Sequence, residues 1–137
     1  MSFHFYVYRA AEGLGPINRW DRMHAESLGN VEDVMATLST LFPSLRWKRS
    51  ELENGAVFWS ALSANLPDEP YLDVNLQVLE GGHVHFVVLN KAAPSVMRTI
   101  MVAMKLNHVS APEADALVDP YAYSDDDRYF ARKSQQA

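Results

Sequence analysis

No cysteine occurs among the 137 residues. That absence excludes a disulfide framework, thiolate zinc sites and cysteine nucleophiles, and it fits a reducing compartment. Long apolar runs are missing as well. The longest fall far short of the roughly 18 residues a membrane-spanning helix needs, so no membrane partner is expected. The opening Met1-Ser2-Phe3-His4-Phe5-Tyr6 has no basic region leading into an apolar stretch, so the reading is of a chain without a secretory signal and of a cytoplasmic location. Positive charge is scarce: 12 Lys and Arg against 17 Asp and Glu leave a formal net charge of −5. A nucleic-acid binder needs a cationic face to displace counterions from phosphate, so that class is not expected. An acidic chain is instead suited to meeting a basic protein.

Catalytic motifs are also missing. Gly81-Gly82 is the only double glycine, and it lies between two strand patterns. A phosphate cradle would require a glycine-rich loop opening a helix, so this pair reads as a hairpin turn. There is no G-x-S-x-G elbow, and Ser95, His108 and Asp119 supply a triad in residue type only. His83 and His85 share one face of a strand, a spacing able to hold a metal, but no third or fourth ligand falls into place beside them. Asp73 with Asp68 or Glu69 would be paired carboxylates, yet nothing fixes their separation or brings a nucleophile. No catalytic residue, metal set or cofactor is therefore expected.

What is present is globular patterning: 48% apolar and 21% charged residues, as in an ordinary folded domain. A chain of this length buries about two-thirds of its unfolded surface and needs no covalent staple. Residues 3–9 alternate, with Phe3, Phe5 and Val7 on one face and His4, Tyr6 and Tyr8 on the other. A long connection with several glycines follows, carrying Trp20, Met23 and Leu28 to tack it onto the body. Asn30 is a good N-cap with Asp33 three residues on, and Val31, Val34, Met35, Leu38 and Leu41 recur at helical spacing until Pro43 stops them.

Strands are predicted over 45–49 and 56–62, joined through Asn54-Gly55, and over 71–80 and 83–89, joined through the double glycine. In the second pair, Leu76 and Val74 share the core face with Val87 and Leu89. Val84, Phe86 and Val88 fall on the face of Asp73, Asn75 and Gln77, an assignment that a one-residue bulge would reverse. A second helix opens at Pro94-Ser95, with Met97, Ile100, Met101 and Met104 on one stripe and Lys105 and His108 near its end. The methionine stripe reads as core rather than as an adaptable groove. A short last strand is predicted around 116–119, then a polar tail.

The order of these segments resembles that of small bacterial immunity-type proteins paired with polymorphic or contact-delivered toxins. The similar stretches are Ser27-Leu28-Gly29-Asn30-Val31-Glu32-Asp33-Val34 and Leu41-Phe42-Pro43-Ser44-Leu45-Arg46-Trp47. They are followed by the hairpin at 71–89, the helix at 95–107 and the closing Leu117-Val118-Asp119-Pro120-Tyr121. The tryptophan usual before the closing aspartate is absent from Asn107-His108-Val109. The resemblance implies a stoichiometric protein that neutralises a cognate toxin by covering its active site or substrate access, with no catalytic residues of its own.

The reading is thus an α+β domain over residues 1–123 with a frayed tail at 124–137. It has one mostly antiparallel sheet of five or six strands, with two helices packed on one face. The expected core comprises Phe5, Val34, Leu38, Leu41, Leu72, Val74, Leu76, Ile100 and Met104, with Trp47 and Trp59 largely buried. A cognate toxin, basic in character, would meet Tyr121, Tyr123, Asp125, Asp126 and Asp127 first, then Asp73, Phe86, Glu51 and Glu53, because stiff aromatics give contact area and acids steer a basic partner. The alternative is a small-molecule-binding or enzymatic domain on a ferredoxin-like layout. A third reading is self-association through Val84, Phe86 and Val88.

Overall fold

Two amphipathic helices lie on one face of an open antiparallel sheet, and local chemistry sets the helix ends. The computed structural model describes residues 4–11, 13, 15, 25–63, 72–111 and 116–124. Phe3, Trp20, Met23, Asp68, Glu69, Tyr71 and Asp125–Asp127 lie outside the described residues. Helix α1 (Val31–Leu41) starts where Asn30 Oδ1 accepts the Asp33 N–H at 2.9 Å, with Glu32 and Asp33 facing its positive end. It closes on Phe42, whose N–H reaches Leu38 O at 2.8 Å, because Pro43 disfavours another helical residue before it.

Helix α2 (Pro94–Met104) opens on a proline that gives up no hydrogen bond there. It stops at Lys105, left-handed at φ 57°. The free carbonyls of that end are taken by a residue 96 positions away. Arg9 donates through Nε to Lys105 O at 2.9 Å and through Nη2 to Met104 O at 2.8 Å. A cation capping a helix C-terminus is favourable.

Among the described residues the sheet has seven strands, against the five or six expected: β1 (Phe5–Tyr8), β2 (Arg46–Glu51), β3 (Val57–Leu62), β4 (Asp73–Val78), β5 (Val87–Lys91), β6 (His108–Ala111) and β7 (Ala116–Leu117). Their spatial order is β2-β3-β4-β5-β1-β6-β7, and every pairing is antiparallel. The strand absent from the sequence reading is β6. His108-Val109-Ser110-Ala111 alternates polar and apolar over four residues only, all four are buried, and the segment follows α2 after only three residues. The amino-terminal β1 slots between β5 and β6 and joins the β2–β5 meander to the carboxy-terminal strands.

The register of the β4–β5 pair is as expected, with Val74 opposite Leu89 and Asn75 opposite Val88. The turn differs. Residues 80–82 form a 3₁₀ turn with Gly81 and Gly82 at positive φ, closed by the Leu79 N–H on His83 O at 2.8 Å. Beyond it, residues 83–84 leave β4 and pair with the segment before α1. Asn30 bridges His83, the Leu28 N–H donates to Val84 O at 2.7 Å, and the Val84 N–H donates to Gly29 O at 2.9 Å. This detour puts Val84 into the helix-side core while Phe86 packs on the far face. The expected Val84, Phe86 and Val88 stripe therefore does not exist.

The helix-side core gathers Phe5, Val7, Val34, Leu38, Leu72, Val74, Leu76, Leu89, Met97 and Ile100, all buried. Leu41 and Met104, expected inside, are half-buried at its margin. Trp47 and Trp59 are also half-buried. They stand on the edge strand β2 and its neighbour β3, and Trp47 keeps its indole N–H on Ser39 Oγ at 2.9 Å. A smaller apolar cluster of Tyr8, Ala10, Ala25 and Phe86 covers part of the opposite face.

Candidate functional site

Strand parity decides what the face away from the helices displays. With Phe5, Val7, Val74, Leu76 and Leu89 turned to the helices, their alternates turn away. Register then assembles rows across the sheet. One runs Lys48, Ser60, Asn75, Val88, Tyr6 and Ser110, each paired with the next. Beside it Arg46 pairs with Leu62 and Leu62 with Asp73, and on its other side Ser50 pairs with Phe58 and Phe58 with Gln77.

The β1–β6 end of this face is sealed. The Tyr8 hydroxyl and Ser110 Oγ share a hydrogen bond at 2.5 Å, both residues being fully buried. His108 stacks on the Tyr8 ring at a centroid distance of 5.3 Å and donates from Nδ1 to Asn107 Oδ1 at 2.6 Å. Burial pushes the Tyr8 phenol above its usual range, with the Ser110 hydrogen bond pulling weakly the other way.

The β2–β4 end is open and holds two concavities. A basin of about 360 Å³ is rimmed by His4, Tyr6, Phe58, Asn75, Gln77 and Asn90, with Val88 and Phe86 below. Asn75 Oδ1 is buried there without a hydrogen-bond partner among the described residues. Asn90 donates through Nδ2 to Asp73 Oδ1 at 3.2 Å. Asp73 also borders the second concavity, a groove of about 500 Å³ along the β2 edge lined by Arg46, Lys48, Ser60 and Leu62. Lysine and arginine on an edge strand blunt strand-to-strand association, which accounts for their presence on β2 without a ligand.

The residues singled out from sequence fall in several places. Asp73 is half-buried on the open face. Phe86 lies beneath that face at 2% exposure, covered by Tyr6, with ring centroids 5.2 Å apart and planes 25° from parallel. Glu51 is exposed at the β2 end and pairs with Arg49 at 3.3 Å, and Glu53 is exposed in the turn that follows. Tyr121 is exposed on the helix layer, where it lines a shallow apolar groove with Leu41, Arg98 and Val102. Tyr123 is half-buried against the helix-side core. Residues 120–122 form a 3₁₀ turn. Asp119 Oδ1 accepts the Tyr121 N–H at 3.0 Å, and Arg98 Nη1 donates to Pro120 O and Tyr123 O at 2.7 and 2.8 Å. The sheet thus separates Tyr121 from Asp73.

The other candidates have local work. His83 Nδ1 and Ser27 Oγ share a hydrogen bond at 2.7 Å, and His85 Nδ1 donates to Ala25 O at 2.7 Å, so both histidines bind the segment before α1. Among the described residues no group of three His, Asp or Glu is placed to hold a metal, and no helix is long and apolar enough to cross a membrane. His108 is committed to Asn107 and Tyr8, and Asp119 to its own turn.

Sequence reasoning missed His4, Tyr6, Phe58, Asn75, Gln77 and Asn90 as one site. Alternation places His4 with Tyr6 and Asn75 with Gln77, but the juxtaposition of β1 with β5 is not local information. No family model, curated protein or solved structure matches this chain.

Proposed function

We propose that this chain is a stoichiometric binding protein that neutralises a cognate bacterial toxin by covering its active site or substrate access. The observation that carries the reading is the open end of the sheet. There Lys48, Ser60, Asn75 and Tyr6 stand in one row across β2, β3, β4 and β1, with aromatic rings and polar groups interleaved. Such a mixture supplies stiff contact area and orientation-setting hydrogen bonds, as protein-binding surfaces do. The toxin as partner rests on the sequence resemblance. A net charge of −5 favours encounter with a basic protein. Near Arg46 and Lys48 the partner would instead present acidic or hydroxyl groups. The basin favours a second reading, a small-molecule site, because it is concave and lined by convergent amides.

The test is calorimetric titration against the product of the gene directly upstream, where the proposal expects a toxin domain. Tyr6→Ala, Asn75→Ala and Lys48→Glu together should weaken binding by more than about 100-fold, while Val102→Asp on the helix layer should leave it unchanged. Undiminished affinity in the triple variant, or no affinity in the parent chain, overturns the proposal.

A further inference from the structure

The basin between β1, β3, β4 and β5 has a chemistry that is specific about what fits. Its buried acceptor, Asn75 Oδ1, has no hydrogen-bond partner among the described residues. A buried polar atom left without a partner is costly, so the site is completed by whatever donates to it. Asn90 also lines the basin; it donates through Nδ2 to Asp73 Oδ1 and carries a carboxamide oxygen of its own. Asp73 places a negative charge one hydrogen bond behind that amide. Two aromatic rings, Tyr6 and Phe58, line the same basin, and Tyr6 is held in place by its stack on Phe86. Among the described residues no lysine or arginine lines it, and His4 and Gln77 complete its polar lining.

Two amide oxygens, a carboxylate behind one of them and two aromatic rings select against an anion. They favour a flat cation rich in N–H donors. A guanidinium has five donors in one plane, stacks on aromatic faces and is weakly hydrated. An ammonium is a compact, strongly hydrated charge that cannot stack. A neutral carboxamide fits the amide edge but gains nothing from Asp73. We infer that the basin is a receptor for an arginine side chain presented by the partner protein. The inference rests on the covering function proposed above for the source of that arginine. The pocket's own preference is independent of it.

The experiment uses the 137-residue chain alone. Nα-acetyl-arginine amide is titrated into the ¹⁵N-labelled protein, and the side-chain NH₂ signals of Asn75, Gln77 and Asn90 are followed by NMR. A single anchoring side chain should saturate these shifts with Kd on the order of 1–10 mM. Capped lysine and capped glutamine, at equal concentration, should give shifts at least about fivefold smaller. Asn75→Leu should weaken arginine binding by about tenfold or more, with the backbone spectrum confirming its fold. Gln77→Leu, outside the acceptor pair, serves as a second variant and should weaken it less. The inference is overturned if arginine produces no saturable shift into the tens of millimolar, if lysine or glutamine shifts these signals equally, or if Asn75→Leu binds as the parent does. The toxin is absent from this titration, so its failure is distinct from failure of the covering function, which would show as a toxin that does not bind.

Discussion

Tyr6 lies on Phe86, ring centroids 5.2 Å apart and planes 25° from parallel, and the pair divides surface from interior on the open face. Phe86 is the buried member, at 2% exposure, and Tyr6 is the one at the basin. Phe86→Ala should therefore act on stability, costing about 3 kcal/mol or more by urea unfolding. Tyr6→Ala should act chiefly on binding to the proposed toxin partner. Equal stability losses for the two would contradict this division.

Arg9 is the C-terminal cap of α2, through two charge-assisted hydrogen bonds to Lys105 O and Met104 O. Arg9→Met should cost about 2 kcal/mol, and amide exchange should quicken over the last turn of α2. Arg9→Lys should recover only part of the loss, since an ammonium cannot span two carbonyls as the planar fork does.

Asn30 caps α1 through its 2.9 Å acceptance of the Asp33 N–H. Asn30→Ala should cost about 1 kcal/mol, and Asn30→Asp or Ser should restore most of it. The reading is the shift in thermal midpoint, with Thr37→Ala as a control outside the cap.

Tyr8 gives the fold a pH dependence at the alkaline end. Burial raises its phenol above the usual 10.0, so the folded state holds the proton where the unfolded chain has released it. The stabilisation is fully present below pH 10 and is lost as pH rises from there through the folded pKa. Urea unfolding at pH 8 and at pH 11 should show this loss in the parent chain and a smaller one in Tyr8→Phe. At pH 8, Tyr8→Phe should itself cost about 1 kcal/mol for the hydrogen bond to Ser110.

Much of the scaffold was legible because its determinants are local. Asn30, Asp33 and Pro43 bracket α1 within a few residues, and alternation through 72–78 with the double glycine gives the Val74–Leu89 register. The failures share one cause, that a decisive neighbour lies far off in the chain. Strand β6 is buried on both sides by elements the four residues His108-Val109-Ser110-Ala111 say nothing about. Lys105 and His108 read as the cations at the end of α2, whereas Arg9 serves it. The detour at Val84 comes from pairing with Leu28 and Gly29, and no pattern within 83–89 records that. The candidate site suffered in the same way. Phe86 on an alternating strand reads as exposed until Tyr6 is known to cover it. Tyr121 beside Asp119-Pro120 reads as part of one contact surface with Asp73 until α2 draws it to the other side of the sheet.

Transferred cross-saturation, from the protonated toxin partner proposed above to the deuterated ¹⁵N-labelled chain, tests the proposed covering face most directly. Saturation should concentrate on residues 46–50, 58–62, 73–77 and Tyr6, with Arg98, Val102 and Tyr121 unaffected. Saturation centred on Arg98, Val102 and Tyr121, with β2–β4 silent, would contradict the account.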